Sequence, residues 1–192
     1  QAADSSVRFL SSRSGGYGLS PDLTPGQNFD LADWYLNTPG DVDGDSRSDR
    51  FSESDLAKGF NDPRYFYTGS DGGLVMRSTI GGAKTSKNTR FTRTELREML
   101  RRGNGSITTR LDDGSPNKNN WVFSSAPPRS QLAAGAVDGT LEATLAVNHV
   151  TITGEAGQVG RVVIGQIHAH KDEPIRLYYR RLPGHARGSV YA

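Results

Sequence analysis

Two stretches decide the fold class: Leu-Glu-Ala-Thr-Leu-Ala-Val-Asn-His-Val-Thr-Ile-Thr at residues 141–153, and Arg-Val-Val-Ile-Gly-Gln-Ile-His-Ala-His at residues 161–170. Both are rich in β-branched residues and alternate in part between apolar and polar residues, which is typical of strands. Glycine is frequent, with 23 residues, and proline is moderate, with 9, which favours short strands and turns over long helices. The sum predicts an all-β protein, a β-sandwich of the jelly-roll type.

Segments on either side of these stretches extend the prediction. Phe29–Leu36 alternates in part and predicts a strand before Pro39, and Tyr65–Ser78 predicts a hairpin with Ser70–Gly73 as its turn. Tyr178 and Tyr179 belong to a further predicted strand.

The bulk properties suit one domain with a core of its own: 192 residues and 20.8 kDa. Residues 1–28, rich in Ser, Gly, Asp and Pro, predict an irregular lead-in, and no domain boundary follows, so residues 1–192 form a single predicted domain. The chain has no cysteine and no apolar run long enough to span a membrane. It starts at Gln1 without a signal peptide, which a processed exported protein or a trimmed chain both explain.

Positive charge is concentrated in one segment, although the formal net charge is only +2. The basic residues of this segment are Lys84, Lys87, Arg90, Arg93, Arg97, Arg101 and Arg102. Such a patch suggests an anionic ligand, and both nucleic acid and acidic glycan qualify. Phe91 is the only aromatic residue in the segment and no nucleic-acid motif is present, so the glycan is favoured.

Arg93-Thr94-Glu95-Leu96-Arg97 is the first candidate site. The segment Arg90–Arg102 is helical or extended by propensity, and the flanking threonines favour a strand. Alternation then places one set of side chains on a common face: Arg93, Glu95, Arg97, Met99 and Arg101. Glu95 can orient the guanidinium groups, which bind carboxylates bidentately. The alternative is a solvated charge ladder.

Gln166-Ile167-His168 is the second candidate. Residues two apart share a face of a strand, so Gln166 and His168 are predicted on one side and Val163, Gly165 and Ile167 on the other. An amide donor beside an imidazole suits stabilisation of an enolate-like charge together with proton transfer. The alternative is a structural, hydrogen-bonded histidine. A metal site at His168 and His170 lacks an evident third ligand.

Together the two segments resemble polysaccharide lyase family 7, the alginate lyases. Residues 92–99 resemble its Arg-(Ser/Thr)-Glu-Leu-Arg motif, and residues 166–168 its Gln-(Ile/Val)-His motif. Matches at Phe29–Leu36, Asn120–Phe123 and Leu141–Leu145 support the resemblance, which runs from Phe29 to the end of the chain.

The resemblance implies a jelly roll whose concave sheet binds the polymer, and cleavage of alginate by β-elimination. Arg93, Gln166 and His168 would neutralise the uronate carboxylate, Arg97 and Arg101 would bind substrate, and Glu95 would orient the arginines. No cofactor would be required for catalysis, and neither nucleic acid nor membrane would be a partner. A polymeric substrate favours a secreted or periplasmic, bacterial protein. The alternative function is a non-catalytic polyuronate-binding module of the same fold.

One family motif has no match in this chain. The Tyr-Phe-Lys-Ala-Gly-x-Tyr segment, whose last tyrosine serves as general acid and base in the family, is absent, and Tyr178, Tyr179 and Tyr191 stand in other contexts. The motif is therefore expected outside this chain, on a second polypeptide or a longer chain that completes the sheets. The alternative is an inactive binding remnant.

Residues 41–49 form a loop dense in carboxylates. Alternating aspartates with a glycine are typical of calcium loops, so a structural calcium is a candidate at Asp41, Asp43, Asp45 and Asp49. The bidentate glutamate of an EF-hand is missing at its usual spacing, and a solvated turn is the alternative.

Overall fold

A computed structural model of the chain describes residues 5–10, 18–170 and 173–192, and for Ser5–Leu10 it describes the backbone alone. The strands are β1 (Ser5–Leu10), β2 (Trp34–Asn37), β3 (Arg50–Phe51), β4 (Phe66–Thr68), β5 (Leu74–Ser78), β6 (Glu95–Glu98), β7 (Trp121–Val122), β8 (Ala136–Val137), β9 (Thr144–His149), β10 (Arg161–Ile167), β11 (Ile175–Arg180) and β12 (Ser189–Tyr191). Within the described ranges, three short helices accompany them: α1 (Pro25–Asn28), α2 (Glu53–Ala57) and α3 (Pro128–Ala133). The predicted all-β class is confirmed.

The described strands form four sheets, with the orders β4-β5-β1-β9, β10-β11-β12, β3-β2-β6 and β7-β8. All pairs are antiparallel except β7 with β8. In an antiparallel sheet, one face can be apolar and pack on the core, while the other face is polar and meets solvent. This division positions both candidate sites.

The core lies between two of these sheets. Leu36 of β2 is fully buried together with Leu56 of α2, and Phe66 and Leu74 contribute from the β4–β5 hairpin. Phe51 of β3 is partly buried against them. Sheet β3-β2-β6 therefore has one face packed against β4 and β5, which leaves its opposite face for polar side chains.

The hairpin predicted at Tyr65–Ser78 is confirmed. β4 and β5 pair in register, and the Gly69 amide donates to the Gly73 carbonyl oxygen at 2.8 Å across the turn. Gly72 has a φ of 78° and lies against Leu19, so both its backbone conformation and its surroundings require glycine.

Three boundaries differ from the sequence prediction. The lead-in is not irregular throughout, because β1 pairs with β5 and β9, and Pro25–Asn28 is helical. The strand predicted at Phe29–Leu36 begins only at Trp34. The strand predicted at Arg90–Arg102 is confined to Glu95–Glu98, since those are the residues that pair with β2. The short length of the neighbouring strands, rather than the β-propensity of the sequence, sets these strand boundaries.

No helix within the described ranges is long and apolar enough to cross a membrane.

Candidate active site

The first candidate site occupies the outer face of sheet β3-β2-β6. Across the β2–β6 pair, Tyr35 lies opposite Arg97 and Asn37 lies opposite Glu95, while Leu36 and Leu96 face the core. Cross-strand partners share a face, so Tyr35, Asn37, Glu95 and Arg97 form one polar surface. The alternation predicted for Glu95 and Arg97 is confirmed.

Arg93 is held just before β6 by the threonines on either side of it. The Thr94 hydroxyl donates to the Arg77 carbonyl oxygen at 2.5 Å, and the Thr92 hydroxyl donates to the Thr79 carbonyl oxygen. The Arg93 guanidinium is thereby directed toward Glu95, to which its Nη1 donates at 2.9 Å. Its Nε is buried and has no hydrogen-bond partner among the described residues. A buried, unused donor on a charged group is costly unless a ligand accepts from it.

Tyr35 is a polar-face residue that the sequence did not single out. Burial raises the pKa of its phenol, and the nearby positive charges of Arg50 and Arg97 only partly offset that effect. The hydroxyl is therefore protonated at neutral pH and can donate a hydrogen bond. Leu36, the next residue, is apolar and fully buried, so alternation along the strand could have predicted Tyr35 on the polar face.

Arg101 lies in the turn beyond β6 and is engaged with protein groups. Its Nε donates to Glu53 Oε1 at 2.7 Å, its Nη2 to Glu53 Oε2 at 3.2 Å, and its Nη1 to the Ile107 carbonyl oxygen at 2.9 Å. Burial tends to raise the pKa of Glu53, but the hydrogen bonds and charge of Arg101 outweigh it and lower that pKa. The substrate-binding role expected for Arg101 stays a prediction. Met99, expected on the arginine face, is buried at 1% exposure because the strand ends before it.

Other members of the basic segment are also paired with carboxylates. Arg90 contacts both oxygens of Glu155 at 2.5 Å, and Arg102 contacts Asp30 at 3.1 Å and Asp33 at 2.9 Å. These acids lie far away in the sequence. The local excess of positive charge is therefore smaller in the folded chain than along the sequence.

The second candidate site lies on strand β10, which contains a β-bulge. The register with β11 shifts between Val163 and Gly165, which leaves Ile164 as the extra residue. Val163 pairs with Tyr178 and Gln166 pairs with Arg176, and Tyr178 and Arg176 are two residues apart. Gln166 therefore shares its face with Val163. The prediction that Val163 lies on the opposite face is wrong, because the bulge reverses the alternation.

His168 follows the end of β10 and is exposed. Its Nδ1 is 2.6 Å from the Ala169 carbonyl oxygen, which can only accept, so Nδ1 carries the hydrogen. In the neutral ring Nε2 then holds the lone pair and is available as a base. Nε2 lies 3.7 Å from Glu173 Oε1, and the other oxygen of Glu173 contacts Arg176 Nη2 at 2.6 Å. Gln166, His168 and Arg176 thus form one polar group.

The two candidate sites are joined through one loop. Arg90, which lies three residues before Arg93, contacts Glu155 in the loop that leads into β10. Between described residues, no hydrogen bond or ion pair connects Arg93 directly with Gln166 or His168. The structure therefore places Arg93, Glu95 and Arg97 in or just before β6, and Gln166 and His168 in or just after β10.

The aspartate loop brings three of its four candidate ligands together. Carboxylate oxygens of Asp41, Asp43 and Asp45 lie within 4.8 Å of one another, and all three residues are exposed. Asp49 is not in this group, and its Oδ1 accepts from the Val42 amide at 3.0 Å. Asp43 and Asp45 also accept local backbone amides, as a simple turn would. The structural calcium stays a prediction.

The comparisons with known proteins agree with one another. A family model described as alginate lyase matches residues 29–192. The chain is similar to a curated alginate lyase of Klebsiella pneumoniae, with 56% identity over 167 residues that cover 87% of this chain and 53% of that protein. The chain spans about half the length of this relative.

Two solved structures are similar to parts of the chain. The crystal structure of the alginate lyase from Klebsiella pneumoniae matches with a TM-score of 0.83 at 56% identity, over 87% of this chain and 57% of that chain. A family 7 alginate lyase crystallised with substrate matches 45% of this chain and 34% of its own, at 34% identity and a TM-score of 0.38. Since the family model covers most of the sequence, the chain belongs to the alginate lyase family.

Proposed function

We propose that the protein is a polysaccharide lyase that cleaves alginate by β-elimination. The observation that carries the proposal is the polar group at the end of β10, where Gln166 pairs across the strands with Arg176, and where Glu173 contacts both Arg176 and His168. Membership of the alginate lyase family and similarity to the Klebsiella pneumoniae alginate lyase support it.

The chemistry requires neutralisation of a uronate carboxylate. Removing the C5 proton places negative charge beside that carboxylate, so donors and cations around it stabilise the enolate-like intermediate. The electron pair of the broken C5–H bond then forms the C4–C5 double bond, and the C4–O bond breaks. The departing sugar oxygen takes up a proton, and the new non-reducing end is an unsaturated uronate.

The residues divide these tasks. Arg93, whose buried Nε is unpaired among described groups, and Gln166 would donate to the substrate carboxylate. His168 Nε2 would accept the C5 proton of one uronate epimer, since Nδ1–H is already bound to Ala169. Glu95 would orient Arg93, and Arg97 would bind the polymer from the same face. A tyrosine outside this chain would supply the remaining general acid and base. No cofactor takes part in this scheme.

Cleavage is tested by the ultraviolet absorbance of the conjugated product after alginate is added. Arg93→Ala and His168→Ala should each lower turnover by at least about 100-fold, because each removes a group that acts on the reacting carboxylate or proton. Arg129→Ala and His185→Ala are matched controls on exposed residues, and both should retain activity. Bound but uncleaved uronans in the unmodified protein would instead favour a polyuronate-binding module. Near-full activity of either site variant would disprove the assignment of that residue.

We propose further that a second polypeptide segment completes the fold. Strand β10 lies at a sheet edge, and the face opposite Gln166 exposes Ile175 at 37%, Leu177 at 38% and Val190 at 63%. A free edge with an exposed apolar face promotes aggregation unless it is covered. Intact-mass analysis of active material should detect a further fragment or a longer chain. Full lyase activity from a sole 20.8 kDa species would contradict this part of the proposal.

Secretion is the matching proposal for location, because such a polymer is too large to enter a cell. Fractionation of a producing culture should recover the protein from the medium or periplasm.

A further inference from the structure

We propose that the polar face of sheet β10-β11-β12 contains an additional uronate-binding subsite next to Gln166, formed by Arg161, Arg180, Tyr178 and Tyr191. The inference rests on the proposed function, since it takes the ligand to be a uronan. It adds residues outside the two motif segments to the binding surface.

The β-bulge places these residues on the same face as Gln166. Because Ile164 is the extra residue, Arg161 and Gln166 lie on one side of β10, although they are five positions apart. Their partners on β11 are Arg180 and Arg176, with Tyr178 between them. Without the bulge Arg161 would be on the opposite side from Gln166.

Arg161 and Arg180 lie directly opposite each other across the strands. Like charges in this arrangement are destabilising. Within the described ranges, neither arginine forms an ion pair with a carboxylate. Arg161 donates to the Gln158 side chain, and Arg180 donates to the Val159 carbonyl oxygen at 3.0 Å.

This arrangement contrasts with the basic segment described above. There Arg90, Arg101 and Arg102 each contact a carboxylate. Within the described ranges, the two facing arginines of β10 and β11 instead have no contacting carboxylate to balance their charge, and neutral acceptors fix their guanidinium groups. Fixed guanidinium groups with unused donors suit bidentate binding of a carboxylate.

The tyrosines provide a flat surface beside the arginines. The Tyr178 and Tyr191 rings are stacked with 5.3 Å between centroids and 19° between planes. The Arg161 guanidinium lies 4.7 Å above the Tyr178 ring, and Arg176 Nη1 donates to the Tyr178 hydroxyl at 3.2 Å. Tyr191 remains 39% exposed. An exposed ring can pack against the C–H face of a sugar, while the adjacent guanidinium binds its carboxylate.

The subsite is tested by binding rather than turnover, so its failure is distinguishable from failure of the lyase proposal. Affinities are measured by calorimetry in the His168→Ala background, with alginate oligomers and with the same oligomers after reduction of their carboxylates. Arg161→Met should weaken binding of the charged oligomers about tenfold and leave the reduced oligomers unaffected. Tyr191→Leu should weaken binding of both about fivefold.

Val190→Thr is the matched control, because Val190 is adjacent to Tyr191 but lies on the opposite face. It should leave both affinities unchanged. Tyr191→Phe keeps the ring and should also bind normally, which maintains the test if Tyr191→Leu does not fold. Unchanged affinity in Arg161→Met and Tyr191→Leu would overturn the subsite, as would a loss in Tyr191→Phe. Equal, Arg161-dependent binding of a single-stranded oligonucleotide would show a general polyanion surface and would also overturn it.

Discussion

The two polar faces that carry the candidate residues differ in what lies behind them. Behind Tyr35, Glu95 and Arg97 is a packed core in which Leu36 and Leu56 are fully buried. Behind Gln166 and Arg176 is a surface that leaves Leu177 38% exposed. The first face is therefore supported from within the described chain, whereas the second is held mainly by contacts on its own side.

This difference indicates how each face is kept in position for binding. Arg93 is directed by hydrogen bonds of Thr92 and Thr94 to carbonyl oxygens in β5 and just after it, so its geometry depends on the core. His168 depends on the Ala169 carbonyl and on Glu173, both near the end of a strand. Regions with few buried apolar contacts open at lower free energy. The backbone amides of the strands that carry the second face are therefore expected to exchange their hydrogens faster than those of the strands that carry the first face.

Removing Arg101 should have the largest effect, because it breaks the buried Glu53–Arg101 pair, whose charges act on Tyr35 of the first face. Arg101→Ala leaves Glu53, with 1% side-chain exposure, as an uncompensated buried charge. The expected loss is about 3–5 kcal/mol of unfolding free energy, measured by urea denaturation. Arg102→Ala is the matched control. Its guanidinium is 52% exposed, so the expected loss is at most about 1 kcal/mol. Equal losses in the two variants would mean that burial of the Glu53–Arg101 pair does not raise the cost of breaking it.

A pair of leucine truncations compares the two regions directly. Leu56→Ala removes a fully buried side chain and should cost about 2–5 kcal/mol through lost burial and the remaining cavity. Leu177→Ala removes one that is 38% exposed, and should cost less than about 1.5 kcal/mol, since less surface leaves water. Thermal unfolding of both variants provides the measurement. A Leu177→Ala loss as large as that of Leu56→Ala would show that the apolar surface behind the second face is already covered.

The sequence predicted more of the first face than of the second. Alternation placed Glu95 and Arg97 correctly because β6 is a regular strand against β2. It failed at Val163 because a one-residue bulge reverses the faces. Gly165 was the only local signal, since glycine within a strand often marks a bulge.

The charge pattern was predictable only in part, for a related reason. Along the sequence the basic segment contains few acids, but Glu53 and Glu155 reach it through the fold. Arg161 and Arg180 had no such signal, since 19 positions separate two residues that β10 and β11 place opposite each other. Long-range pairing, rather than local composition, decides which arginines contact a carboxylate.

Low pH should lower the stability of the folded protein through Glu53. Its folded-state pKa is lowered from the ordinary value of 4.5, so its stabilising contribution is present above that value and is lost as pH falls through the lowered pKa. Glu53→Gln removes this linkage. Between about pH 5 and about pH 2, the melting temperature of the unmodified protein should fall more steeply than that of the variant. Parallel curves would assign the acid sensitivity to other carboxylates.

The smallest expected effect concerns the contact that joins the two regions. Arg90 and Glu155 form an ion pair, but their side chains are 60% and 65% exposed, so water and salt screen it. A double-mutant cycle with Arg90→Ala and Glu155→Ala should give a coupling energy of at most about 0.5–1 kcal/mol, decreasing with added salt. The two faces would then be positioned almost independently, each by its own sheet. A coupling well above this range, insensitive to salt, would instead mean that the loop before β10 aligns Gln166 and His168 with Arg93.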